Sequence, residues 1–121
     1  MKLFAILGAI FATISVGAGA FGAHALEESL SEHMLEIWET AARYQMYHAL
    51  GLFAAAWLSQ KTGAAGATVG GWGFIVGILI FSGSLYTLAL TDIRWLGAIT
   101  PIGGLAMIVG WVALCVAAFS L

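Results

Sequence analysis

The sequence predicts an all-α integral membrane protein, a four-helix bundle with short loops, on three observations. Of its 121 residues, 62% are hydrophobic and 8% charged, and the mean hydropathy is +1.02; water-soluble domains carry about 25% charged residues. Four apolar runs, residues 3–22, 39–58, 69–91 and 100–121, each approach the ~20 residues a helix needs to cross a ~30 Å hydrocarbon core. Little chain separates them, so neighbouring helices run alternately up and down within a single domain, residues 1–121.

The first run imitates a cleaved signal peptide, with Lys2 ahead of an apolar stretch and Ala18, Gly19 and Ala20 behind it. The stretch is longer than the 7–15 or so residues of a signal core, and it reads as the first span. Thr13, Gly17, Ala20 and His24 fall on one face at helical spacing and form a small-residue groove that leads to a histidine. That face is expected against the second helix, with His24 near Glu36 or Arg43. Gly17, Gly19 and Gly22 also match G-x-G-x-x-G. With no preceding strand, the pattern reads as packing surface and not as a nucleotide site.

The second helix carries most of the ionisable side chains. Ser29 and Glu32 fit a capping box that starts a helix near Leu30, and nothing interrupts it before Ser59. That length, about 43 Å, exceeds the membrane core, so its first turns should protrude. Trp38 and Trp57 suit the two headgroup levels, about 28 Å apart. On that ruler Arg43 lies about 7 Å inside one boundary and His48 about 15 Å inside. Glu36, Thr40, Arg43, Tyr44, Tyr47 and His48 share a face expected to point into the bundle, with Glu39 placed to pair with Arg43 one turn on. Ala42, Met46, Leu50, Phe53 and Trp57 then face lipid, while Gln45 lies off the polar face and calls for another helix or subunit. Two readings of the cluster His24, Glu36, Glu39, Thr40, Arg43, Tyr44, Tyr47 and His48 stay open: buried hydrogen bonds that set helix register, or a functional site.

The third helix, entered through glycine-rich 64–73, offers Gly73-x-x-x-Gly77 as a close-contact surface, and Gly17 and Gly83 are further packing candidates. Asp92 and Arg94 end it in a short loop, and residues 95–99 read as a shallow re-entrant turn. Thr100-Pro101 suits the start of the fourth helix, threonine as N-cap and proline at the first helical position. Cys115, the one cysteine, lies in the fourth span and reads as a small core residue. Lys2 and Lys61 against Arg94 and the deeper Arg43 place both termini inside.

No metal-ligand pair, nucleophile elbow or phosphate loop is present in the sequence, and no basic cluster suggests nucleic acid. The reading is therefore a non-enzyme without metal or cofactor. Four segments, residues 19–26, 38–50, 81–90 and 97–104, with Gly110-Trp111, together resemble the YgdD/YwdK-like small membrane proteins. That family is of unknown function and is similar to a eukaryotic small transmembrane family. The resemblance implies a four-helix protein of a bacterial plasma membrane and supplies no catalytic residues. Three functions remain: a helix-packing protein that works as a homo-oligomer or with a membrane partner, a small transporter using the polar cluster, or a binding module for haem, quinone or lipid.

Overall fold

A computed structural model describes residues 2–121. Five α-helices, α1 (Lys2–His24), α2 (Glu32–Thr62), α3 (Ala65–Gly77), α4 (Gly83–Thr91) and α5 (Thr100–Ala118), account for most of the chain. A π turn, Ile78–Ser82, joins α3 to α4 without a break, so the architecture is four rods. A 3-10 turn, Arg94–Ala98, leads into α5, and no strand occurs among the described residues. Three stretches, Lys2–His24, Ala65–Thr91 and Arg94–Ala118, are long and apolar enough to cross a membrane. The longest rod, α2, is less apolar than these three, its middle carrying Arg43, Tyr44, Gln45, Tyr47 and His48.

Local chemistry sets the rod ends, in places differently from expectation. Residues 25–30 are consumed by a turn in which Ser29 and Leu30 donate to Leu26 O, and Leu26 itself is buried. The helix start therefore shifts, and Ser31, not Ser29, is the N-cap, accepting from Met34 N at 3.2 Å. At the other end Gly63 adopts φ 65° and donates to Ser59 O, the left-handed stop that glycine tolerates best. Thr100 does not cap α5. The 3-10 turn runs straight into the helix, Ile102 N–H bonds to Ile99 O, and the Thr100 hydroxyl instead meets that of Ser84 at 2.6 Å. Residues 95–99 lie largely in this 3-10 turn, Arg94–Ala98, which buries none of its residues.

Adjacent rods are antiparallel, with α2 and the α3–α4 rod central, α1 packed on α2, and α5 on α3. Both termini lie at one end, where Lys2 stands beside Trp57 and Gln60. The seams are built from missing Cβ atoms. A Cβ on Gly73 would meet Ala106 O at 2.9 Å and Gly110 Cα at 3.0 Å, and one on Gly77 would meet Met107 Cγ at 2.5 Å. The two largest fully buried rings, Phe4 and Phe74, rest on glycines as well: Phe4 on Gly71, Phe74 between Gly51 and Gly110. Since lipid tails are as apolar as the helices, such close approach is what holds membrane rods together.

Gly73 and Gly77 thus occupy the seam expected of them, whereas Gly17 and Gly83 have open space where a Cβ would go. The buried side of α1 is Phe4, Gly8, Ser15 and Gly22; Thr13, Gly17, Ala20 and His24 all point outward. The expected α1 face is therefore turned away from α2, because the bulkier Phe4 and Phe11 need the interior. Cys115 is likewise exposed and not a core residue. Gly73→Ala should destabilise the bundle by about 1–3 kcal/mol, since only backbone atoms oppose the new methyl. Gly17→Ala should be neutral or gain up to about 1 kcal/mol from helix propensity. Equal effects of the two in a reversible unfolding titration would refute this packing account.

Candidate functional site

Small residues on the inner side of α2 decide what surrounds its polar groups. Ala41, Ala42, Ala49, Leu52 and Ala55 are buried and bring α1 and the α3–α4 rod close. Two neighbouring carbonyls of that ridge each accept a serine hydroxyl from opposite sides: Ser15 of α1 donates to Ala42 O at 2.6 Å, and Ser82 of the π turn to Ala41 O at 2.7 Å. One turn further, Gln45 spans the bundle. Its Nε2 donates to Phe11 O at 2.8 Å and its Oε1 accepts from the Tyr86 hydroxyl at 2.8 Å. Trp38 Nε1 donates to Ala18 O at 2.7 Å, with the indole lying on Gly22. Along this seam residue numbers rise on α1 as they fall on α2, so one antiparallel register satisfies every bond.

This inward ridge displaces the expected polar face. Ala42 is buried, not lipid-facing, and Met46 half-buried, while Leu50, Phe53 and Trp57 are exposed as expected. Glu36, Glu39 and Arg43 are exposed, and Tyr44 and Tyr47 partly so. Thr40 is half-buried and bonds back to Glu36 O at 2.8 Å. The reason is angular: the charged residues stand nearly opposite the alanine ridge, about 150° around the helix, and the ridge permits closer approach. Glu39 and Arg43 form no ion pair; the one salt bridge among the described residues is Arg94 Nε to Asp92 Oδ1 at 3.3 Å, at the surface. Trp38 is buried, its indole turned inward onto α1 and α4.

His48 is the member of the expected cluster that is buried, 5% exposed. It lies midway along α2, against Phe74 and Trp111 from the middles of α3 and α5 (centroids 5.4 and 5.9 Å). Its Nδ1 stands 2.6 Å from Tyr44 O. A carbonyl only accepts, so Nδ1 carries the proton and Nε2 is left as an acceptor. The ring borders a groove of about 570 Å³ between α2 and α5, walled by Tyr44, Tyr47, Phe81 and Trp111. His24 does not converge with it. Gly22 is level with Trp38, so His24 lies at least ten residues of helix away, roughly 15 Å. No cluster of three metal-ligating side chains exists among the described residues.

The sequence reading assigned no contact to Ser15, Ser82 or Tyr86: Thr13 lies beside the first and Ser84, Thr87 and Thr91 beside the others, so nothing in the pattern singled out the hydroxyls that cross between rods. Gln45, off the polar face, meets two other rods as expected.

Strand-free, with rods suited to a bilayer and a hydrogen-bonded seam inside, the chain is an integral membrane four-helix bundle. It belongs to the family described as "Protein of unknown function (DUF423)", which matches residues 18–104. It is 53% identical over 119 residues to the UPF0382 membrane protein YwdK of Bacillus subtilis (strain 168), covering 98% of this chain and 97% of that one. A UPF0382 membrane protein of Staphylococcus saprophyticus is 54% identical over 121 residues, covering 100% of both chains. One of Staphylococcus haemolyticus is 54% identical over 119 residues, covering 98% and 97%. No solved structure matches the chain. The biochemical activity of the family is unknown.

Gln45→Leu should lower stability by about 1–2 kcal/mol, the range for interhelical bonds in a membrane. Combined with Tyr86→Phe it should add less than the two single losses, because both remove one bond. Strict additivity in a double-mutant cycle would contradict the bridge.

Proposed function

We propose that the protein acts without catalysis, as a packing element that pairs with a second copy of itself in the bacterial plasma membrane, termini on the cytoplasmic side. The observation that carries this is the line Glu32, Glu36, Glu39, Arg43 and Tyr47, spaced by three or four residues and exposed along the outside of α2. Arg43 lies about 7 Å inside the level of Trp38 with no acidic partner among the described residues of its own chain. An unpaired cation in that position is unfavourable in hydrocarbon. In a two-fold pair with the axis along the membrane normal, identical residues meet at equal depth. Glu39 of one copy then comes within a helical turn of Arg43 of the other, so the line is self-complementary.

The transport reading finds less support, because the ionisable groups of α2 stand outside the bundle and not along a path through it. Lys2 and Lys61 favour cytoplasmic termini, the cation bias on which the topology rule rests.

Glu36→Cys, in a Cys115→Ser background, should cross-link to dimer in native membranes. Arg43→Glu should reduce that yield about tenfold, and Arg43→Glu with Glu39→Arg should restore it. Monomer throughout, or equal yields in all three, would overturn the pairing. Separately, a reporter fused after Leu121 should be active only as a cytoplasmic fusion; periplasmic-type activity would reverse the orientation.

A further inference from the structure

We propose that the groove between α2 and α5 is a binding site for a neutral, membrane-soluble hydroquinone: a flat phenolic head held by His48, with an apolar tail leaving sideways into lipid. The inference does not rest on α2-mediated pairing, and it requires that a second copy seated along α2 leave the groove open beside Tyr47.

His48 supplies the polar contact. With Nδ1 committed to Tyr44 O at 2.6 Å, Nε2 has no partner among the described residues. No fully enclosed polar side-chain atom lacks a partner among the described residues, so Nε2 has access to the outside, and the groove is the space that His48 borders. A nearly buried imidazole nitrogen with a free lone pair, at mid-membrane depth, wants an O–H or N–H donor. Water is scarce at that depth, and a hydrogen bond formed there is stronger than in water.

The walls specify the rest of the ligand. Tyr44 and Tyr47 from α2, Phe81 from the π turn and Trp111 from α5 surround the space. Tyr44 packs on Phe81 (centroids 4.8 Å) and Phe74 on Trp111 (4.6 Å), so a flat ring entering the groove meets fixed aromatic surfaces. Tyr47 and Trp111 are 49% and 44% exposed, which leaves the groove open laterally in the middle of the rods. A ligand therefore arrives through the bilayer and carries an apolar portion. The lining holds no lysine, arginine or carboxylate, which disfavours phospholipid headgroups and the propionates of haem. About 570 Å³ is within the ~300–1,000 Å³ of ordinary small-molecule sites and leaves room for a substituted six-membered ring and the first part of a tail. The proposal concerns binding alone, and no electron transfer is assigned.

The test is native mass spectrometry of the full chain released from nanodiscs doped with a decyl-substituted benzohydroquinone under reducing conditions, against its dimethyl ether, which has the same shape without a donor. One hydroquinone per chain is expected, with the ether about tenfold weaker. His48→Phe should weaken the hydroquinone about tenfold and leave the ether unchanged. Gly104→Leu provides the second variant: a Cβ there stands at ordinary contact distance from Phe81, 3.7 and 3.9 Å, so the substitution is tolerated while the longer side chain fills the groove. It should abolish both adducts without lowering the unfolding midpoint. Equal affinity for hydroquinone and ether, no saturable adduct on the wild type, or retention of binding in Gly104→Leu would overturn the site. So would a Soret band in the purified protein, or a groove closed by a second copy. A monomer that binds the hydroquinone would overturn the pairing proposed above and leave this site standing.

Discussion

The rotation of α2 about its own axis is the setting on which the rest of this bundle depends, and two serine hydroxyls pin it. Ser15 and Ser82 approach from opposite sides and bond to the consecutive carbonyls of Ala42 and Ala41. Consecutive carbonyls of a helix are placed about 100° apart around its axis, so the two bonds together leave little freedom to turn. Each bond alone is modest, around 0.6 kcal/mol on average for polar contacts between membrane helices. Their joint value is directional: with α2 held at this angle, its alanines face inward, its charges outward, and His48 comes to the edge of a groove.

The π turn is the device that lets one rod satisfy two neighbours. It acts as one residue inserted into an α-helix and turns everything after it by about 100°. Before it, Gly66, Gly70, Gly73 and Gly77 lie against α5. After it, Leu85 and Leu88 pack with Ala41 of α2, and Tyr86 reaches Gln45. A continuous α-helix would keep one stripe on α5 throughout. Ser82 sits inside the turn, where the widened backbone puts its hydroxyl against α2, and Phe81 lies next to Gly103, whose missing side chain makes the necessary space.

Class and architecture were legible because they follow from quantities that sum along the chain: hydropathy, run length and the scarcity of loop residues. The Gly73 and Gly77 contact was legible for a similar reason, since a four-residue spacing of small residues is itself the seam. The facing of α2 was not. Its polar residues and its alanines form two stripes, and amphipathic reasoning borrowed from water-soluble proteins puts polarity on one side without saying which side a membrane bundle chooses. Here Phe4 and Phe74 required glycine beds at Gly71, Gly51 and Gly110, and the alanine ridge alone allowed rods to approach closely enough to seat them. Helix starts failed for a local reason: Ser29 and Ser31 both suit an N-cap, and only the buried Leu26, which closes the preceding turn, chooses between them.

That choice of facing explains why the chain presents two unlike surfaces on one helix. The charged line begins at Glu32, in the first turn of α2, and runs along the outside of the helix to Arg43, level with the bonds of Ser15 and Ser82; its outer glutamates can reach headgroups and Arg43 a second copy. The aromatic groove sits about one turn further in than Arg43, beyond the reach of headgroups, where every polar atom must find its partner in protein or in something dissolved in the bilayer. Tyr47 stands between them, sharing the line of Arg43 and the wall of His48's groove. A rotation of α2 large enough to bury Arg43 would carry the alanine ridge off α1 and break the bonds of Ser15 and Ser82 together. The outward charge and the lateral groove are therefore not separable features of this fold; both follow from one angle, held by two hydroxyls.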